Sequence, residues 1–262
     1  MTTPFALPPR EGKPRKRGLT AMIDFGPDEM GWTGVRGLED LLECAADYID
    51  YGKIYALNAL LLPEGVAKQV ATLYRDYDVT PFAGGILFEY AYEKNALDAF
   101  SAHLKKLNLM GFEISENYIT LGDDERRGFI DRFQKEGFEV VYEFGRKKPD
   151  TPMSIDQLGA IVADMESCGV GHVIVEQSEL DLLRAAEPQA LDALPKQPWF
   201  EKILIEGDPY HFPQQHVDLI KDYGPDVNLA NIAAGQVMRL EGFRRGIGRG
   251  VNYSILDASE GF

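Results

Sequence analysis

LMGFEISENYITLGDDERRGFIDRFQKEGFEVVYEFG, residues 109–145, contains the repeating unit on which the fold depends. Its two apolar runs, Leu109–Ser115 and Glu139–Gly145, are typical of strands that are buried on both faces of a parallel sheet. Between them, Asp123–Glu136 begins with acidic residues, which suit the positive end of a helix dipole, and stops at Gly137. This order of strand, helix and strand predicts a parallel βαβ unit.

The same alternation extends over most of the chain. Six further apolar runs predict strands: Leu19–Gly26, Tyr51–Ala56, Val79–Gly85, His172–Ser178, Lys202–Asp208 and Asp226–Ala233. Helical periodicity predicts helices between them: Gly37–Asp50, Glu64–Tyr77, Ala96–Lys106, Ser154–Cys168, Leu180–Leu194 (broken by Pro188), Gln214–Tyr223 and Gln236–Arg245. Eight strand–helix units predict an α/β fold, a (β/α)8 TIM barrel that forms a single domain over residues 18–262.

Two alternatives concern the architecture. A doubly wound open sheet would normally carry a glycine-rich phosphate loop after its first strand, and here Asp24-Phe-Gly-Pro-Asp-Glu stands in that place. Residues 1–17 are rich in proline and basic residues and are expected to form an irregular leader. We expect this leader to be a solvated arm, and the alternative is an arm that covers one end of the barrel or contacts an anion.

Charge and hydropathy restrict the partners. The chain carries 42 Asp and Glu against 27 Lys and Arg, a formal net charge of −15. Nucleic-acid-binding proteins usually have the opposite sign, because they gain affinity by neutralising phosphates. No apolar run approaches the roughly 18 residues of a membrane span, and the amino terminus lacks the pattern of a secretion signal. We therefore expect a cytoplasmic protein with neither a nucleic-acid nor a membrane partner, and homo-oligomer formation stays open.

Charged residues stand at the carboxyl ends of the predicted strands, where TIM-barrel enzymes carry their active sites. The acidic ones are Asp24, Glu113, Glu143, Glu176 and Glu206. Any single acid of this kind could instead cap a helix or pair with a neighbour, but five at equivalent positions favour a pocket. Carboxylates that share a site raise one another's pKa or recruit a counter-ion. Mg²⁺ is one such counter-ion, because it binds through carboxylates and substrate oxygens.

Basic and amide side chains accompany these acids. Lys53 lies in the second predicted strand, Asn231 in the eighth, and Arg146 and Lys147 follow the fifth. The three cations can neutralise carboxylates or bind an anionic substrate. His211, just past the seventh strand, is a further candidate for the pocket. The pattern therefore predicts a site for a small anionic substrate.

Several collinear blocks between residues 14 and 249 resemble the phosphosulfolactate synthase family. They are Pro14-Arg-Lys-Arg-Gly-Leu-Thr, Asp47-Tyr-Ile-Asp-Tyr-Gly-Lys53, Gly84-Gly-Ile-Leu-Phe-Glu-Tyr-Ala-Tyr92, Phe112-Glu-Ile-Ser115, Glu136–Lys147, Tyr223–Ile232 and Leu240–Gly246. Enzymes of this family use a (β/α)8 barrel to join sulfite to phosphoenolpyruvate, with Mg²⁺, on the archaeal route to coenzyme M. The resemblance implies a lyase or synthase of sulfonate biosynthesis that adds sulfite, or a related nucleophile, to phosphoenolpyruvate or a similar enolpyruvate-type substrate and forms a C–S bond.

The resemblance also implies roles for the strand-end residues. The metal ligands are expected among Glu113, Glu143, Glu176 and Glu206. Catalytic roles fall to Lys53, Lys147 and Glu143, with one lysine as the proton donor, its pKa lowered by neighbouring cations. Substrate contacts are expected from Asp24, Arg146, Asn231 and His211.

The chain differs from the motifs of the family at three places. The family's Asp-Lys-Gly is Asp24-Phe25-Gly26 here, Phe-Gly-Trp-Gly-Thr-Ser is replaced by residues 54–59 (IYALNA), and Glu-x-Arg-Glu-Ser-Gly is replaced by residues 176–181 (EQSELD). These changes remove a lysine, an arginine and hydroxyl groups that hold anionic oxygens, and they predict a reshaped, less cationic pocket. The alternative function is a non-catalytic barrel that resembles heat-stress-associated plant proteins and acts through protein interactions.

Overall fold

Eight parallel strands close into a barrel in the computed structural model, which describes residues 5–147 and 149–257. The strands are β1 (Thr20–Asp24), β2 (Tyr51–Ile54), β3 (Thr80–Ala83), β4 (Gly111–Ile114), β5 (Glu139–Phe144), β6 (Val173–Val175), β7 (Ile203–Glu206) and β8 (Leu229–Ala233). Strand β1 pairs with both β2 and β8, so the sheet has no free edge. The predicted (β/α)8 TIM barrel is confirmed, and the alternative of an open sheet is wrong.

Helices surround the strands. They are α1 (Val35–Ala45), α2 (Asn58–Leu61), α3 (Glu64–Asp76), α4 (Gly85–Glu93), α5 (Leu97–Lys106), α6 (Asp123–Lys135), α7 (Ile155–Ser167), α8 (Gln177–Ala186), α9 (Gln214–Tyr223) and α10 (Val237–Arg244). The predicted helix Leu180–Leu194 ends before Pro188, and 3-10 turns follow over Pro188–Lys196. Within the described ranges no helix is both long and apolar enough to cross a membrane.

Helix α4 was not predicted from the sequence, because it lacks an amphipathic stripe. Its sequence GILFEYAYE is apolar over most of its circumference, and it packs into a cluster of phenylalanine rings. The ring centroid of Phe88 lies 6.0 Å from that of Phe112 on β4, and Phe112 lies 4.9 Å from Phe133 on α6. Phe100 on α5 contacts Phe112 edge-on at 5.0 Å. Aromatic contacts of this kind hold α4, α5 and α6 against the barrel.

The interior of the barrel consists of two layers of side chains. The lower layer is apolar and contains Leu19, Ala21, Tyr51, Phe82, Val141, Ile174, Leu204 and Ala230. Side chains two residues apart on a strand point to the same face, so the residues that follow these toward the carboxyl ends form the next layer. That upper layer contains Lys53, Glu143, Glu176 and Glu206. The charged side chains of this upper layer therefore lie at the carboxyl ends of the strands.

The leader packs against the amino-terminal end of the barrel. Arg10 lies 3.3 Å from Glu241, Arg15 lies 3.0 Å from Asp50 just before β2, and these two arginine side chains are only 6 % and 3 % exposed. The described part of the leader, residues 5–17, contains no helix or strand. The expectation of a solvated arm is therefore wrong, because ion pairs fix the leader over the end that lies opposite the strand-end acids.

Glycine is sterically required at position 52 on β2. A Cβ atom there would lie 2.6–2.8 Å from the ring of Tyr74, a fully buried residue of α3. We expect Gly52→Ala to destabilise the protein by about 1–3 kcal/mol, because the ring has to move in a packed layer. Gly65→Ala is the control: that glycine lies in α3 with open space around it, and alanine there favours the helix. Chemical denaturation of both variants measures the difference, and equal stabilities would contradict it.

Candidate active site at the carboxyl ends of the strands

Lys53 lies between two buried carboxylates inside the barrel. Its Nζ atom is 2.9 Å from Oε2 of Glu113 on β4 and 3.2 Å from Oε2 of Glu143 on β5. The other oxygen of Glu113 accepts a hydrogen bond of 2.8 Å from the backbone N–H of Gly85, at the start of α4. Gly84 leaves room for the lysine, since a Cβ atom there would lie 3.3 Å from Lys53 Cε. The first cluster therefore joins residues from β2, β4 and β5 by direct contacts.

Lys147 joins two more carboxylates on the adjacent side of the barrel. It follows β5 and places Nζ against Oε2 of Glu176 and 3.2 Å from Oε1 of Glu206. The lysine side chain is 38 % exposed, whereas those of Glu176 and Glu206 are 6 % and 5 % exposed. Oxygen atoms of Glu143, Glu176 and Glu206 lie within 4.8 Å of one another. The two lysine clusters therefore form one continuous site, and Lys147 is its solvent-accessible cation.

Two amide side chains complete this site. Asn117 donates a hydrogen bond of 2.7 Å from Nδ2 to Glu143 Oε1, and Asn231 donates one from Nδ2 to Glu206 Oε1. Asn231 has a left-handed backbone (φ 57°) where the pairing of β1 with β8 is irregular. A bulge of this kind re-aims a side chain, and here it places the amide inside the barrel. Both amide Oδ1 atoms are buried without a hydrogen-bond partner among the described residues.

The carboxylates of the site have unequal proton affinities. Burial raises the pKa of Glu113, and the neighbouring Glu143 raises it further against the opposing effect of Lys53. Burial also raises the pKa of Glu176, and the hydrogen bond and charge of Glu206 add to that. Burial alone would raise the pKa of Glu143 too, but Lys53 and Lys147 outweigh it and lower the pKa. Glu143 is therefore the most acidic carboxyl group of the three, whereas Glu113 and Glu176 hold a proton more strongly than an ordinary glutamate does.

The lysines differ from the sequence-based expectation. Burial lowers the pKa of Lys53, but Glu113, Glu143 and Glu206 outweigh this effect and raise the pKa above its usual value. The pKa of Lys147 is raised for the same reason, by Glu206, Glu143 and Glu176 against burial. The expectation of a lysine pKa lowered by cations is wrong, because the groups closest to both ammonium ions are carboxylates.

Asp24 does not join this site. Ile23 is paired with Lys53 across β1 and β2, so the next residue, Asp24, lies on the outer face of the barrel. Its carboxylate accepts hydrogen bonds from Tyr74 Oη (2.7 Å), from the N–H of Gly26 (2.8 Å) and from the hydroxyl of Thr33. Burial raises its pKa. The structure therefore corrects the expected substrate contact: Asp24 stabilises the turn after β1 and its packing on α3.

Two other predicted substrate contacts lie at the edge of the site. His211 is 72 % exposed and pairs with Asp208 at 2.8 Å, outside the buried cluster, and its contact with the substrate stays a prediction. Arg146 is exposed and contacts the hydroxyl of Thr120 at 2.5 Å, while its backbone N–H donates to Glu179. Arg146 follows the strand that carries Glu143 and adds a positive charge beside Lys147. Its role in substrate binding stays a prediction.

Glu89 is a buried residue of the site region that the sequence analysis missed. Its two carboxylate oxygens accept hydrogen bonds from the backbone N–H groups of Asn117, Tyr118 and Ile119 (2.8–3.2 Å) and from the hydroxyl of Ser115. Glu89 therefore shapes the loop that carries Asn117 to Glu143. The feature of the sequence that could have indicated this role is the position of Glu89 as an acidic residue inside the otherwise apolar run of α4.

His216 is a second missed residue, and it gives a prediction for acid stability. It lies on α9 beside Gly207, is fully buried, and has no hydrogen-bond partner for either ring nitrogen among the described residues. Burial lowers its pKa to about 4 from the usual value of 6.5. The unfolded chain therefore binds a proton between pH 6.5 and pH 4 that the folded protein does not.

We expect this histidine to remove roughly 3 kcal/mol of the free energy of unfolding as the pH falls from 6.5 to 4. Leucine has a similar volume and cannot titrate, so the free energy of unfolding of His216→Leu lacks this dependence on pH. Chemical denaturation at pH 7 and at pH 4 gives the free energies of unfolding of the wild type and of His216→Leu. The difference between these two free energies should change by roughly 3 kcal/mol between the two pH values. A stability difference that does not change with pH would contradict the assignment.

The chain is similar to known proteins over most of its length. Residues 8–249 match the family model of (2R)-phospho-3-sulfolactate synthase (ComA). The phosphosulfolactate synthase of Methanocaldococcus jannaschii is 33 % identical over 245 residues, which cover 88 % of this chain and 92 % of that protein. The phosphosulfolactate synthase of Bacillus subtilis is 30 % identical over 250 residues, covering 92 % of this chain and 94 % of that protein.

The phosphosulfolactate synthase of Methanothermobacter thermautotrophicus is 32 % identical over 258 residues, covering 93 % of this chain and 94 % of that protein. Among solved structures, 3-hexulose-6-phosphate synthase from Salmonella typhimurium superimposes with a TM-score of 0.50 at 14 % identity, covering 86 % of this chain and 98 % of that chain. This structural likeness concerns the barrel fold alone. The family model, in contrast, matches nearly the whole sequence, and therefore the chain belongs to the phosphosulfolactate synthase family of enzymes.

Proposed function

We propose that this enzyme adds sulfite to phosphoenolpyruvate or a related enolpyruvate-type acid, with Mg²⁺, and forms a C–S bond. The observation that carries the proposal is the cluster of Glu143, Glu176 and Glu206 oxygens within 4.8 Å at the carboxyl ends of the strands, together with Lys147. An enolpyruvate acid presents a carboxylate to such a site and needs a metal or a cation there. The family's relatives are phosphosulfolactate synthases, which supports this reaction class.

The donor set of the cluster fits Mg²⁺. Glu143, Glu176 and Glu206 supply carboxylate oxygens, and Asn231 adds a buried amide oxygen that has no partner among the described residues. Hard cations prefer oxygen ligands of these types. When bound, Mg²⁺ would stabilise the negative charge that develops on the substrate carboxylate. Glu113 contacts Lys53 rather than this group, so we propose the other three glutamates as ligands.

The remaining residues bind and protonate the substrate. The sulfur lone pair of sulfite forms a bond to C3 of the enolpyruvate, and the electron pair of the C=C bond moves to C2. C2 then takes a proton, which we assign to Nζ of Lys147, the lysine that is open to the mouth of the barrel. Arg146 binds anionic oxygens at the rim. Lys53 acts as a positioning residue, because it holds Glu143 and Glu113 in place.

The buried charges favour this enzyme over the alternative of a non-catalytic interaction protein. Well-packed apolar residues often stabilise a protein as well as buried ion pairs do, or better. A barrel with no chemistry to perform therefore gains little stability from Lys53, Glu113 and Glu143 at 7 % side-chain exposure or less. A catalytic site, in contrast, requires such preorganised charges.

The proposal is tested by incubating the purified protein with Mg²⁺, phosphoenolpyruvate and sulfite and by searching for the sulfonate adduct by mass spectrometry. We expect an adduct whose formation stops when a chelator removes Mg²⁺ and resumes when Mg²⁺ is restored. A parallel series with enolpyruvate acids that carry other oxygen substituents covers related acceptors. No adduct with any of these acceptors after several hours would overturn the proposed reaction.

A further inference from the structure

The loop between β4 and α6 contacts the strand-end cluster through Asn117. The side-chain Nδ2 of this residue donates a hydrogen bond of 2.7 Å to Oε1 of Glu143, whose other oxygen, Oε2, lies 3.2 Å from Nζ of Lys53. The amide Oδ1 of Asn117 is buried and has no hydrogen-bond partner among the described residues. Each oxygen of Glu143 is therefore fixed by a separate contact, one from a strand and one from the loop.

The same loop also fixes a cation at the edge of the site. Arg146 donates a hydrogen bond of 2.5 Å from Nη2 to the hydroxyl of Thr120, three residues beyond Asn117. The loop therefore orients a carboxylate inside the barrel and a guanidinium at its mouth, and the positions of both depend on where the loop backbone lies.

Glu89 on α4 binds the backbone of this loop. Its Oε1 accepts a hydrogen bond of 3.0 Å from the N–H of Asn117 and another from the hydroxyl of Ser115. Its Oε2 accepts hydrogen bonds from the N–H groups of Tyr118 (2.8 Å) and Ile119 (3.2 Å). The residue is buried, and all four of these partners are donors. A carboxylate matches them, because both of its oxygens only accept.

A glutamine at this position could not satisfy the same donors. Its side chain has the shape of glutamate but offers one oxygen that accepts and one NH₂ group that donates. At least one backbone N–H of the loop would then face a donor and lose its partner, which is unfavourable in a buried place. We therefore expect the loop to shift in Glu89→Gln, while the apolar packing of α4 remains.

A second buried carboxylate, that of Glu116, anchors the other side of the loop. Its Oε2 accepts a hydrogen bond of 2.9 Å from the N–H of Leu121. Its Oε1 accepts hydrogen bonds from Nε of Arg126 on α6 (2.7 Å) and from the hydroxyl of Tyr142 (2.9 Å). Tyr142 precedes the inward-facing Glu143 and therefore lies on the outer face of β5. Glu116 thus joins the loop to the surrounding helices, whereas Glu89 binds the segment that contacts the site.

We propose that Glu89 is a positioning residue of the active site and that it acts through Asn117 on Glu143. This inference rests on the proposed function, since Glu143 is one of the three glutamates proposed as cation ligands. The hydrogen bonds of Glu89 fix the backbone of Asn117, and the amide of Asn117 keeps the carboxylate of Glu143 turned toward Glu176 and Glu206. A side chain that orients a metal ligand typically changes the metal affinity by about 10- to 100-fold.

Titration with Mn²⁺, followed by electron paramagnetic resonance of the free ion, tests this role without requiring turnover. We expect Asn117→Ala and Glu89→Gln each to weaken the binding of Mn²⁺ by about tenfold, because each frees the carboxylate of Glu143. The double variant Glu89→Gln/Asn117→Ala should bind Mn²⁺ about as Asn117→Ala does. Once the amide of Asn117 is absent, Glu89 has no further route to Glu143, so the two losses should not add.

Asp50→Asn is the matched control for a purely structural loss. Asp50 has a buried carboxylate (8 % exposed) that accepts a hydrogen bond of 2.8 Å from the backbone N–H of Thr20, but it lies at the amino-terminal end of the barrel. Chemical denaturation should show that Asp50→Asn and Glu89→Gln are both less stable than the wild type. Asp50→Asn should nevertheless bind Mn²⁺ as the wild type does.

The outcomes separate this inference from the proposed reaction. An unchanged Mn²⁺ affinity in Glu89→Gln or in Asn117→Ala overturns the positioning role, even if a sulfonate adduct forms. Losses that multiply to about a hundredfold in the double variant also overturn it, because the two residues would then act independently. The expected affinities without any adduct support the positioning role and overturn sulfite addition. Asn117→Ala leaves the carboxylate of Glu89 in place and provides a second variant if Glu89→Gln unfolds.

Discussion

Lys53→Met is expected to destabilise the protein by about 3–5 kcal/mol and to abolish its activity. The substitution removes the cation that lies 2.9 Å from Glu113 and 3.2 Å from Glu143, in a layer where all three side chains are buried. Removing one member of a buried ion pair is costly, because the remaining charge keeps its desolvation penalty. Stability is measured by chemical denaturation, and activity by formation of the sulfonate adduct.

Two further variants make this prediction specific. Lys105→Met removes an exposed lysine that lies 2.7 Å from Glu136, and it should cost less than about 1 kcal/mol because solvent screens that pair. The double variant Lys53→Met/Glu113→Gln removes both partners of the 2.9 Å contact and should recover part of the stability without recovering activity. If Lys53→Met were no more destabilising than Lys105→Met, the buried cluster would not have the electrostatic role assigned to it.

Glu143→Gln is expected to weaken binding of a divalent cation by at least about tenfold. Glu143 lies where the two lysine clusters meet, and its lowered pKa keeps it ionised near neutral pH. A neutral amide of the same shape loses the charge that attracts a hard cation. Titration with Mn²⁺, followed by electron paramagnetic resonance of the free ion, measures the affinity without requiring turnover.

Glu139→Gln is the matched control for this measurement. Glu139 begins β5 and Glu143 lies near its end, so the two variants change the same strand at opposite ends of the barrel. Glu139→Gln should bind Mn²⁺ as the wild type does. Equal affinities for all three proteins would place the cation elsewhere and overturn the assignment of Glu143 as a ligand.

Local sequence patterns were sufficient for much of the fold. The strand run Glu139–Gly145 and the helix Asp123–Glu136 correspond closely to β5 and α6, because their periodicity and end signals are local. Helix α4 was missed, since a helix that is buried on most sides has no amphipathic stripe. The burial of Arg10 and Arg15 was also missed, because their partners lie far away in the chain or in another loop.

The candidate site was predicted in part. Glu113, Glu143, Glu176, Glu206 and Lys53 do meet inside the barrel, as their positions near strand ends indicated. Asp24 ends its strand as well, but it is one residue out of register with the inward positions and therefore faces α3. Asn231 reaches the interior through a left-handed residue at an irregular pairing, which no simple alternation predicts.

The sequence by itself determined the barrel and the end of it that carries charge, because strand and helix periodicities are properties of neighbouring residues. Only the tertiary structure decided which charges are partners and which groups hold protons. Lys53 and Lys147 keep their protons because carboxylates from β4 to β7 surround them, whereas the expectation from the sequence was a lysine pKa lowered by cations. A pKa depends on burial and on distances between groups, and these quantities exist only once distant strands have closed into a barrel.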